Sequence, residues 1–205
     1  MLSHIVSAKK MKVTQESISK LVADLNSDDR DVAEAASMRL DKLLYPRYPT
    51  VTTPGELNRV MEDHDLSLRG SPALEPLLKT LREGTDFARE YAATVLGAIK
   101  EPRALRPIIE RLRDDCAKVR YSATQGLWFL RNAEAVEPLV DSLQDSESLV
   151  RHGAASALGF IGSEQAVPAL TNLYQSGDRD DMVAALYALG DIGDSRSLPL
   201  AREAL

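Results

Sequence analysis

The sequence predicts an all-α protein, an α-solenoid built of stacked helical hairpins. The first observation is an apolar pattern that returns every 31 residues over most of the chain. A fixed period of this length is typical of stacked-repeat architectures. The second is composition, because the chain is 44% hydrophobic but only 5% aromatic, and alanine and leucine dominate its apolar residues. Small aliphatic side chains suit close packing of helix on helix. The equivalent positions, one alanine and one leucine in each repeat, are Ala92, Ala123, Ala154, Ala185, Leu96, Leu127, Leu158 and Leu189.

The N-terminal part carries a divergent first repeat. Thr14 is the expected N-cap of its first helix, with Glu16 in the first turn. After a turn at 26–29, a second helix is predicted whose buried side carries Val32, Ala36, Leu40 and residues 43–44. Ala36 and Ala92 are 56 residues apart, so the 31-residue period is interrupted by an insertion of 25. We expect one α-solenoid domain over 1–205 with about five repeats. Residues 1–44 form the leader and first repeat, 45–71 the insertion, and 72–205 the regular 31-residue repeats.

Each regular repeat has its own start and stop signals. Ser71 and Pro72 precede the first helix of the first regular pair. A proline falls in the first turn of every first helix, where the amide that it removes has no intrahelical partner. Aspartates precede the second helices as expected N-caps, and glycines follow or interrupt their ends. Leu198–Leu205 is expected to be a first helix without its partner. The prolines are Pro76, Pro107, Pro138, Pro168 and Pro199; the aspartates are Asp86, Asp114, Asp115, Asp145 and Asp178; and the glycines are Gly97, Gly162 and Gly193.

Composition argues against several classes of function. The formal net charge is −6 and no run of lysine or arginine occurs, which argues against nucleic-acid binding. No apolar run approaches the roughly 20 residues that cross a bilayer. Met1–Lys12 lacks the apolar core of a secretory signal. A single cysteine, Cys116, cannot form an intrachain disulfide. We therefore expect a cytoplasmic protein with no membrane insertion.

No self-contained catalytic or metal site is predicted. The acidic segment at 62–65 is interpreted as a solvated loop. Carboxylates beside Cys116 would raise the pKa of its thiol and discourage nucleophilic chemistry. No phosphate-binding loop or nucleophile motif occurs. Whether the chain is an enzyme stays uncertain at this point, and no cofactor is required.

The predicted binding site is a stripe on the outward side of the second helices. Positions that should be interchangeable between repeats carry aromatic side chains here, and Trp128 stands where Gly97, Gly159 and Gly190 lie in other repeats. Such residues suit a protein hot spot or a flat conjugated ligand. In the alternative, Trp128 and Phe129 only fill gaps between layers. The candidate residues are Tyr91, Tyr121, Gln125, Trp128, Phe129, His152, Ser156, Phe160, Tyr187 and Asp191.

Arg89, Arg120 and Arg151 recur at one position of the repeat. One hypothesis is a ladder that binds anions, for example the propionates of a ligand. The other is structural, with each arginine paired to an aspartate of the adjacent turn.

The segments Val119–Ala123, Val150–Gly159 and Ala185–Asp194 resemble HEAT-like repeats, and more narrowly the variant named after phycobilisome bilin lyases. The resemblance covers about residues 71–205 well and 14–44 loosely. It implies a right-handed superhelical stack whose second helices line a concave surface. It also implies a role in handling phycobiliproteins of cyanobacteria, as an E/F-type lyase subunit or a chaperone. HEAT-repeat iron hydroxylases carry His-Glu pairs that this chain lacks, which argues against that activity.

Two hypotheses of function follow. In the first, the groove holds a phycobiliprotein client, and a linear tetrapyrrole as bound substrate, close together, so that proximity replaces acid–base machinery. A second HEAT-repeat lyase subunit is then an expected partner. In the second, the chain is a non-enzymatic protein–protein interaction scaffold unrelated to tetrapyrroles.

Overall fold

The computed structural model describes residues 15–44, 73–176 and 178–193, and within this part it contains ten α-helices and no strand. Consecutive helices form five pairs, as the periodicity predicts. The helices are α1 (Gln15–Leu25), α2 (Arg30–Leu44), α3 (Leu74–Glu83), α4 (Asp86–Ala98), α5 (Leu105–Arg111), α6 (Ala117–Leu130), α7 (Val136–Ser142), α8 (Ser148–Ile161), α9 (Val167–Tyr174) and α10 (Arg179–Ile192).

The pairs stack through their second helices. Each odd-numbered helix packs against the even-numbered helix that follows it, and α4, α6, α8 and α10 then pack on one another in sequence. The first helices make fewer contacts with each other. The fold is therefore a continuous α-solenoid over the described residues, with α2, α4, α6, α8 and α10 as one layer and the first helices as the other.

The repeating leucines form the core between these layers. Leu96, Leu127, Leu158 and Leu189 are completely buried, as are the alanines that precede each of them by one turn. Burial of a leucine side chain contributes about 1.5–3 kcal/mol relative to leaving it in water. One such column, repeated in every pair, joins the repeats into one hydrophobic core.

One residue on the predicted buried side of α2 is exposed in the structure. Val32 was predicted on the buried side of α2, but it is 40% exposed, and Ala33 is buried in its place. Ala36 and Leu40 are buried as predicted. The small alanine at the contact lets α2 approach its neighbours, and the larger valine faces water.

The starts of the helices confirm the predicted positions of the prolines and correct the predicted N-cap residues. Pro76, Pro107, Pro138 and Pro168 lie in the first turns of α3, α5, α7 and α9. The expected aspartate caps are right only at Asp178, whose side chain accepts from the N–H groups of Asp180 and Asp181.

At the other helix starts, aspartates have different positions. Thr85 is the N-cap of α4, accepting from the Ala88 N–H, and Asp86 is the first helical residue. Asp114 and Asp145 lie two residues before their caps, each accepting one backbone N–H of the turn, from Cys116 and Glu147. This position leaves the rest of each carboxylate for the arginines described below.

The C-terminal ends of the second helices share a left-handed residue. Gly162 and Gly193 have φ angles of 74° and 77°, as expected for glycine C-caps. The corresponding residues in the two preceding repeats are not glycine: Lys100 has φ 52° and Arg131 has φ 49°. Gly97 lies near the end of its helix, as predicted, since α4 ends at Ala98.

Gly97 has a packing role. A Cβ atom on Gly97 would lie 2.3 Å from the Cα of Gly126, and one on Gly159 would lie 2.9 Å from the Cα of Ala188. Close backbone approach therefore holds α4 against α6 and α8 against α10. Predictions that concern Thr14, Ser71, Pro72, Pro199, the insertion at 45–71 and residues 198–205 lie outside the described residues.

Candidate protein-binding surface

The exposed surfaces of α3, α5 and α7 differ in chemistry from those of α6, α8 and α10. On α3, α5 and α7, every exposed residue is charged, for example Lys79 and Arg106. The helices α6, α8 and α10 carry exposed charges mainly in their first turns, and beyond those turns their exposed and half-exposed residues are largely uncharged. We call this region the second-helix face. Its residues are Tyr121, Gln125, Trp128, Arg131, His152, Ser156, Phe160, Val183, Tyr187 and Asp191.

An aromatic cluster lies at the C-terminal ends of α6 and α8. The rings of Trp128 and Phe160 are 4.4 Å apart between centroids, at an interplanar angle of 59°. Trp128 is half-buried and packs against the core, whereas Phe160 is 42% exposed. Trp128 therefore both fills space between repeats and contributes to the surface, so the two interpretations of this residue do not exclude one another.

Phe129 does not lie on this surface. The sequence placed it in the outward stripe, but only 6% of it is exposed and it belongs to the core. Its ring meets Trp128 edge to face, with centroids 4.8 Å apart. The 31-residue register places Phe129 and Phe160 in one column, but Phe129 is buried and Phe160 is exposed. Phe129 therefore contributes to the core and to the packing of Trp128.

Tyr91 also has an internal role. Its hydroxyl donates to Asp41 Oδ1 at 2.8 Å and so links α4 to α2 of the first repeat. Burial raises the pKa of Asp41, and the hydrogen bond from Tyr91 opposes that rise only in part. Of the predicted binding residues, Tyr91 is therefore the one tied to the junction with the first repeat.

Tyr121 and Gln125 form a pair one turn apart on α6. The Gln125 side-chain amide donates to the Tyr121 hydroxyl at 3.0 Å. Burial raises the pKa of Tyr121, so the phenol stays neutral near pH 7. Its ring edge lies against Gly153 of α8, where an added Cβ would be 3.1 Å away. The pair presents a fixed, uncharged hydrogen-bonding group.

The exposed part of the stripe continues on α8 and α10. His152 is exposed and Ser156 is half-buried on α8. Tyr187 on α10 is 73% exposed and Val183, one turn earlier, is 42% exposed. Asp191 is exposed one turn after Tyr187. An aromatic side chain that is three-quarters exposed contributes little to the core, so its chemistry is available to a partner.

The three repeated arginines link consecutive repeats. Each guanidinium reaches the aspartate of the next repeat: Arg89 pairs with Asp114, Arg120 with Asp145, and Arg151 with Asp181. The pair of Arg120 and Asp145 is bidentate: Arg120 Nε donates to Asp145 Oδ2 at 2.7 Å, and Arg120 Nη2 donates to Asp145 Oδ1 at 2.9 Å.

The remaining donors of these arginines are also engaged. Nη1 of Arg120 donates to the carbonyl oxygens of Asp114 and Asp115, and Nη1 of Arg151 does the same to Asp145 and Ser146. The hydrogen bonds to Asp145 are the main reason why the pKa of Arg120 is raised. These contacts agree with the hypothesis that each arginine pairs with an aspartate of a neighbouring repeat. They leave few N–H donors for an external anion, so we interpret these arginines as links between repeats.

The paired aspartates are held ionised. Burial alone would raise the pKa of Asp114 and of Asp145. The hydrogen bonds from Arg89 and Arg120, together with a backbone N–H in each turn, outweigh burial and lower both pKa values. The stability of these links therefore depends on pH.

Arg131 is a surface residue that the sequence analysis missed. Its guanidinium carbon lies 5.1 Å from the ring centroid of Phe160 and 5.8 Å from that of Trp128. Both distances fall within the range of cation–π contacts. Alignment at the 31-residue period would have shown it, because Gly162 and Gly193 occupy its position in the following repeats.

The described residues offer no metal-binding cluster. Among residues 15–44, 73–176 and 178–193, no group of three or more His, Cys, Asp or Glu could hold a metal ion. Nor is any helix in these ranges long and apolar enough to cross a membrane. Cys116 is half-buried at the start of α6, and its backbone N–H donates to Asp114.

The fold and this surface define an α-solenoid of helical-hairpin repeats. Residues 105–186 match the family model described as HEAT repeats, and residues 88–114 match the one described as PBS lyase HEAT-like repeat. The chain therefore contains HEAT repeats, and the resemblance drawn from its sequence is confirmed over these residues. No curated protein matches the chain.

Solved structures agree on the architecture. The complex of CpcE and CpcF of phycocyanin lyase from Nostoc sp. PCC7120 is similar with a TM-score of 0.63 and 19% identity, over 98% of this chain and 73% of that chain. A designed armadillo repeat protein in complex with the peptide (KR)4 has a TM-score of 0.59 and 19% identity, covering 91% and 87%. A computationally designed armadillo repeat protein for modular peptide recognition has a TM-score of 0.57 and 18% identity, covering 91% of each chain. At these identities, the likeness establishes the α-solenoid fold.

Proposed function

We propose that this protein binds another protein through its second-helix face and that it has a lyase-related role on phycobiliproteins. In that role the face holds a phycobiliprotein subunit beside a linear tetrapyrrole, as a lyase subunit or chaperone. A second HEAT-repeat subunit completes the assembly. The acceptor thiol belongs to the client, since Cys116 lies in an inter-repeat turn.

The observation that carries the protein-binding part is the difference between the charged surfaces of α3, α5 and α7 and the largely uncharged surfaces of α6, α8 and α10. A solvated helix face normally carries charges, as α3, α5 and α7 do. The second-helix face instead exposes Phe160, Val183 and Tyr187. Aromatic residues are enriched at interface hot spots because they bury large areas at a small entropic cost. The surface therefore suits a partner that removes these rings from water.

The phycobiliprotein part has different support. Residues 88–114 match the repeat named after the phycobilisome lyases, and a phycocyanin lyase complex shares the fold along almost the whole chain. No acid–base or nucleophilic group of the described residues points to independent catalysis. A lyase-related role consequently rests on holding the client and the tetrapyrrole in contact, which raises their effective concentration.

The second candidate is a plain protein-binding scaffold without tetrapyrrole chemistry. Designed repeat proteins of the same fold bind peptides, which supports recognition without catalysis. The same second-helix face serves both candidates. They differ in whether a linear tetrapyrrole binds.

The test of the proposal is a binding titration with purified phycocyanin α and β apo-subunits, with and without phycocyanobilin. The wild type should bind one subunit, and its addition to phycocyanobilin should shift the visible absorption band. Tyr187→Ala should weaken binding by about tenfold or more, because Tyr187 is an aromatic residue of this face that is 73% exposed. Its Tm should stay within about 1 °C of wild type, since a surface change of this kind alters stability little.

Lys79→Ala is the matched control. Lys79 is a similarly exposed residue on α3, with 75% of its side chain accessible, and lies in the other layer. Equal loss of affinity in both variants would contradict the assignment of the second-helix face. Subunit binding without an absorption shift would favour the scaffold, and no binding to either subunit would contradict the phycobiliprotein role.

A further inference from the structure

Two departures from the repeat pattern coincide in one repeat. Trp128 replaces the glycine found at Gly97, Gly159 and Gly190, and three residues later Arg131 occupies the position of Gly162 and Gly193. Both side chains contact the same ring, that of Phe160. Lys100 also replaces the second glycine, but in its repeat the first position is Gly97 and offers no ring.

The backbone of Arg131 is unfavourable for a residue with a Cβ atom. Its φ of 49° places it in the left-handed region, where glycine is preferred. The repeat needs this conformation to end the helix, and the Arg131 N–H closes it by donating to Leu127 O at 3.0 Å. Gly162 performs the same task in the next repeat without that cost. The arginine side chain is therefore not explained by the helix end.

Arg131 also lacks an anionic partner. Within the described ranges, no carboxylate lies within salt-bridge distance of its guanidinium. The nearest acidic residue along the chain, Glu134, pairs with Arg106. Arg131 is exposed and its guanidinium lies over two aromatic rings. The ring contacts orient the cation, and among the described residues no group accepts a hydrogen bond from its guanidinium.

We infer that Trp128, Arg131 and Phe160 form a hot spot of the second-helix face that recognises an acidic segment of the partner protein. The inference rests on the proposed protein-binding function and specifies what the partner presents: a glutamate or aspartate flanked by apolar side chains. The carboxylate accepts two hydrogen bonds from the guanidinium, and the apolar neighbours cover Phe160. Charge complementarity selects this partner, because an unpaired arginine held over rings binds carboxylates more strongly than neutral groups.

The chain carries its own reporter for the test, because Trp128 is its only tryptophan. The probe is a short capped peptide that alternates leucine and glutamate, titrated at low ionic strength while tryptophan fluorescence is recorded. Its counterpart with glutamine at every glutamate position is the second arm. Free glutarate, which supplies carboxylates without a peptide, is the third. We expect the glutamate peptide to bind at least about tenfold more tightly than the glutamine peptide, and glutarate to bind more weakly than both.

Two glycine variants separate binding from stability. Arg131→Gly and Lys100→Gly both replace a left-handed residue at the same position of neighbouring repeats, so each should raise the Tm by about 1–3 °C. Only Arg131→Gly should lose the preference for the glutamate peptide, and Arg131→Lys should recover part of it. A joint gain in Tm with a selective loss of binding supports the inference.

Three results would overturn it: equal affinity for the two peptides, no fluorescence response to the glutamate peptide, or unchanged preference in Arg131→Gly. If glutarate binds as tightly as the glutamate peptide, the conclusion that the ligand is a protein segment is wrong. If the phycocyanin subunits bind and the two peptides do not differ, this inference fails while the proposed function stands. If the peptides differ and no phycocyanin subunit binds, the phycobiliprotein role fails instead.

Discussion

The two ends of the second helices use different chemistry to join one repeat to the next. At their N-terminal ends, an Arg–Asp pair occurs at three successive junctions, from Arg89–Asp114 to Arg151–Asp181. The aspartate lies in the turn before the helix in the first two pairs and in the first turn of α10 in the third. At their C-terminal ends the junctions differ. Gly97 and Gly159 allow backbones to touch at two of them, whereas Trp128 stands between α6 and α8 at the junction in between.

This difference separates architecture from recognition. A contact that recurs at successive junctions is explained by stacking, because each of those junctions needs it equally. A contact present at only one junction is not required by the repeat architecture itself. The N-terminal ends therefore hold the solenoid together, and the C-terminal ends of α6 and α8 carry the site that distinguishes this chain from a uniform stack.

The largest expected effect on stability comes from adding a side-chain atom at Gly97, where α4 contacts α6. In Gly97→Ala the new Cβ would lie 2.3 Å from the Cα of Gly126, which is backbone and cannot move aside. We expect a loss of about 3 kcal/mol or more in the free energy of unfolding, measured by urea denaturation. Gly190→Ala is the matched control in the same column, because its Cβ meets nothing within 4 Å and its φ is not left-handed.

Gly190→Ala should be neutral or stabilise by up to about 1 kcal/mol, since alanine favours helix more than glycine. A wild-type-like Gly97→Ala protein would show that the α4–α6 junction does not depend on backbone contact. Failure of Gly97→Ala to fold, with Gly190→Ala intact, would agree with the prediction.

The next effect concerns the repeated ion pairs. Asp145→Ala leaves the Arg120 guanidinium, whose side chain is only 15% exposed, without its main acceptor. We expect a loss of about 2–4 kcal/mol in unfolding free energy. Asp141→Ala removes the exposed pair with Arg113, with side-chain exposures of 84% and 63%, and should cost no more than about 0.5 kcal/mol. Similar losses in both variants would remove the distinction between structural and surface pairs.

Periodicity predicted most of the fold and part of the surface. The 31-residue register determined which residues are buried in the leucine columns, because every repeat must present the same apolar side to its neighbour. It placed Phe129 on the surface, since residues in one column of the register need not share the same burial. Arg131 was missed although the same register aligns it with Gly162 and Gly193; only its left-handed backbone and its ring contacts depend on geometry. Tyr187 was found from sequence, since an aromatic residue in an otherwise polar column needs no further information.

From the sequence, pairing of the repeated arginines with aspartates could be proposed but could not be distinguished from an anion-binding site. A recurring arginine and a recurring aspartate are about 25–30 residues apart along the chain, and only the stacking of repeats brings them together. The same spacing suits an anion site if the arginines face outward. Orientation decided between the two, and it follows from carbonyl groups of the turn that hold Nη1 of each arginine.

The smallest effect is a pH dependence that follows from the same pairs. The pKa values of Asp114 and Asp145 are lowered in the folded state, so these carboxylates contribute stability in full above their unfolded pKa of about 4. That contribution is lost as the pH falls through the lower, folded values. Asp41 and Glu90 act in the opposite direction, because burial raises their pKa values and the folded state takes up protons before the unfolded one.

Unfolding free energy, measured by urea denaturation from pH 7 to pH 3, should therefore rise slightly on acidification above about pH 4 and fall below it. Asp41→Asn should remove part of the rise, and Asp145→Asn part of the fall. If the fall below about pH 4 is as steep in Asp145→Asn as in wild type, the pairs at the N-terminal ends are not the source of the acid sensitivity. A fall that is reduced in this variant, and unchanged in Asp141→Asn, would place it at the repeated junctions, where the charges are held between repeats rather than on the surface.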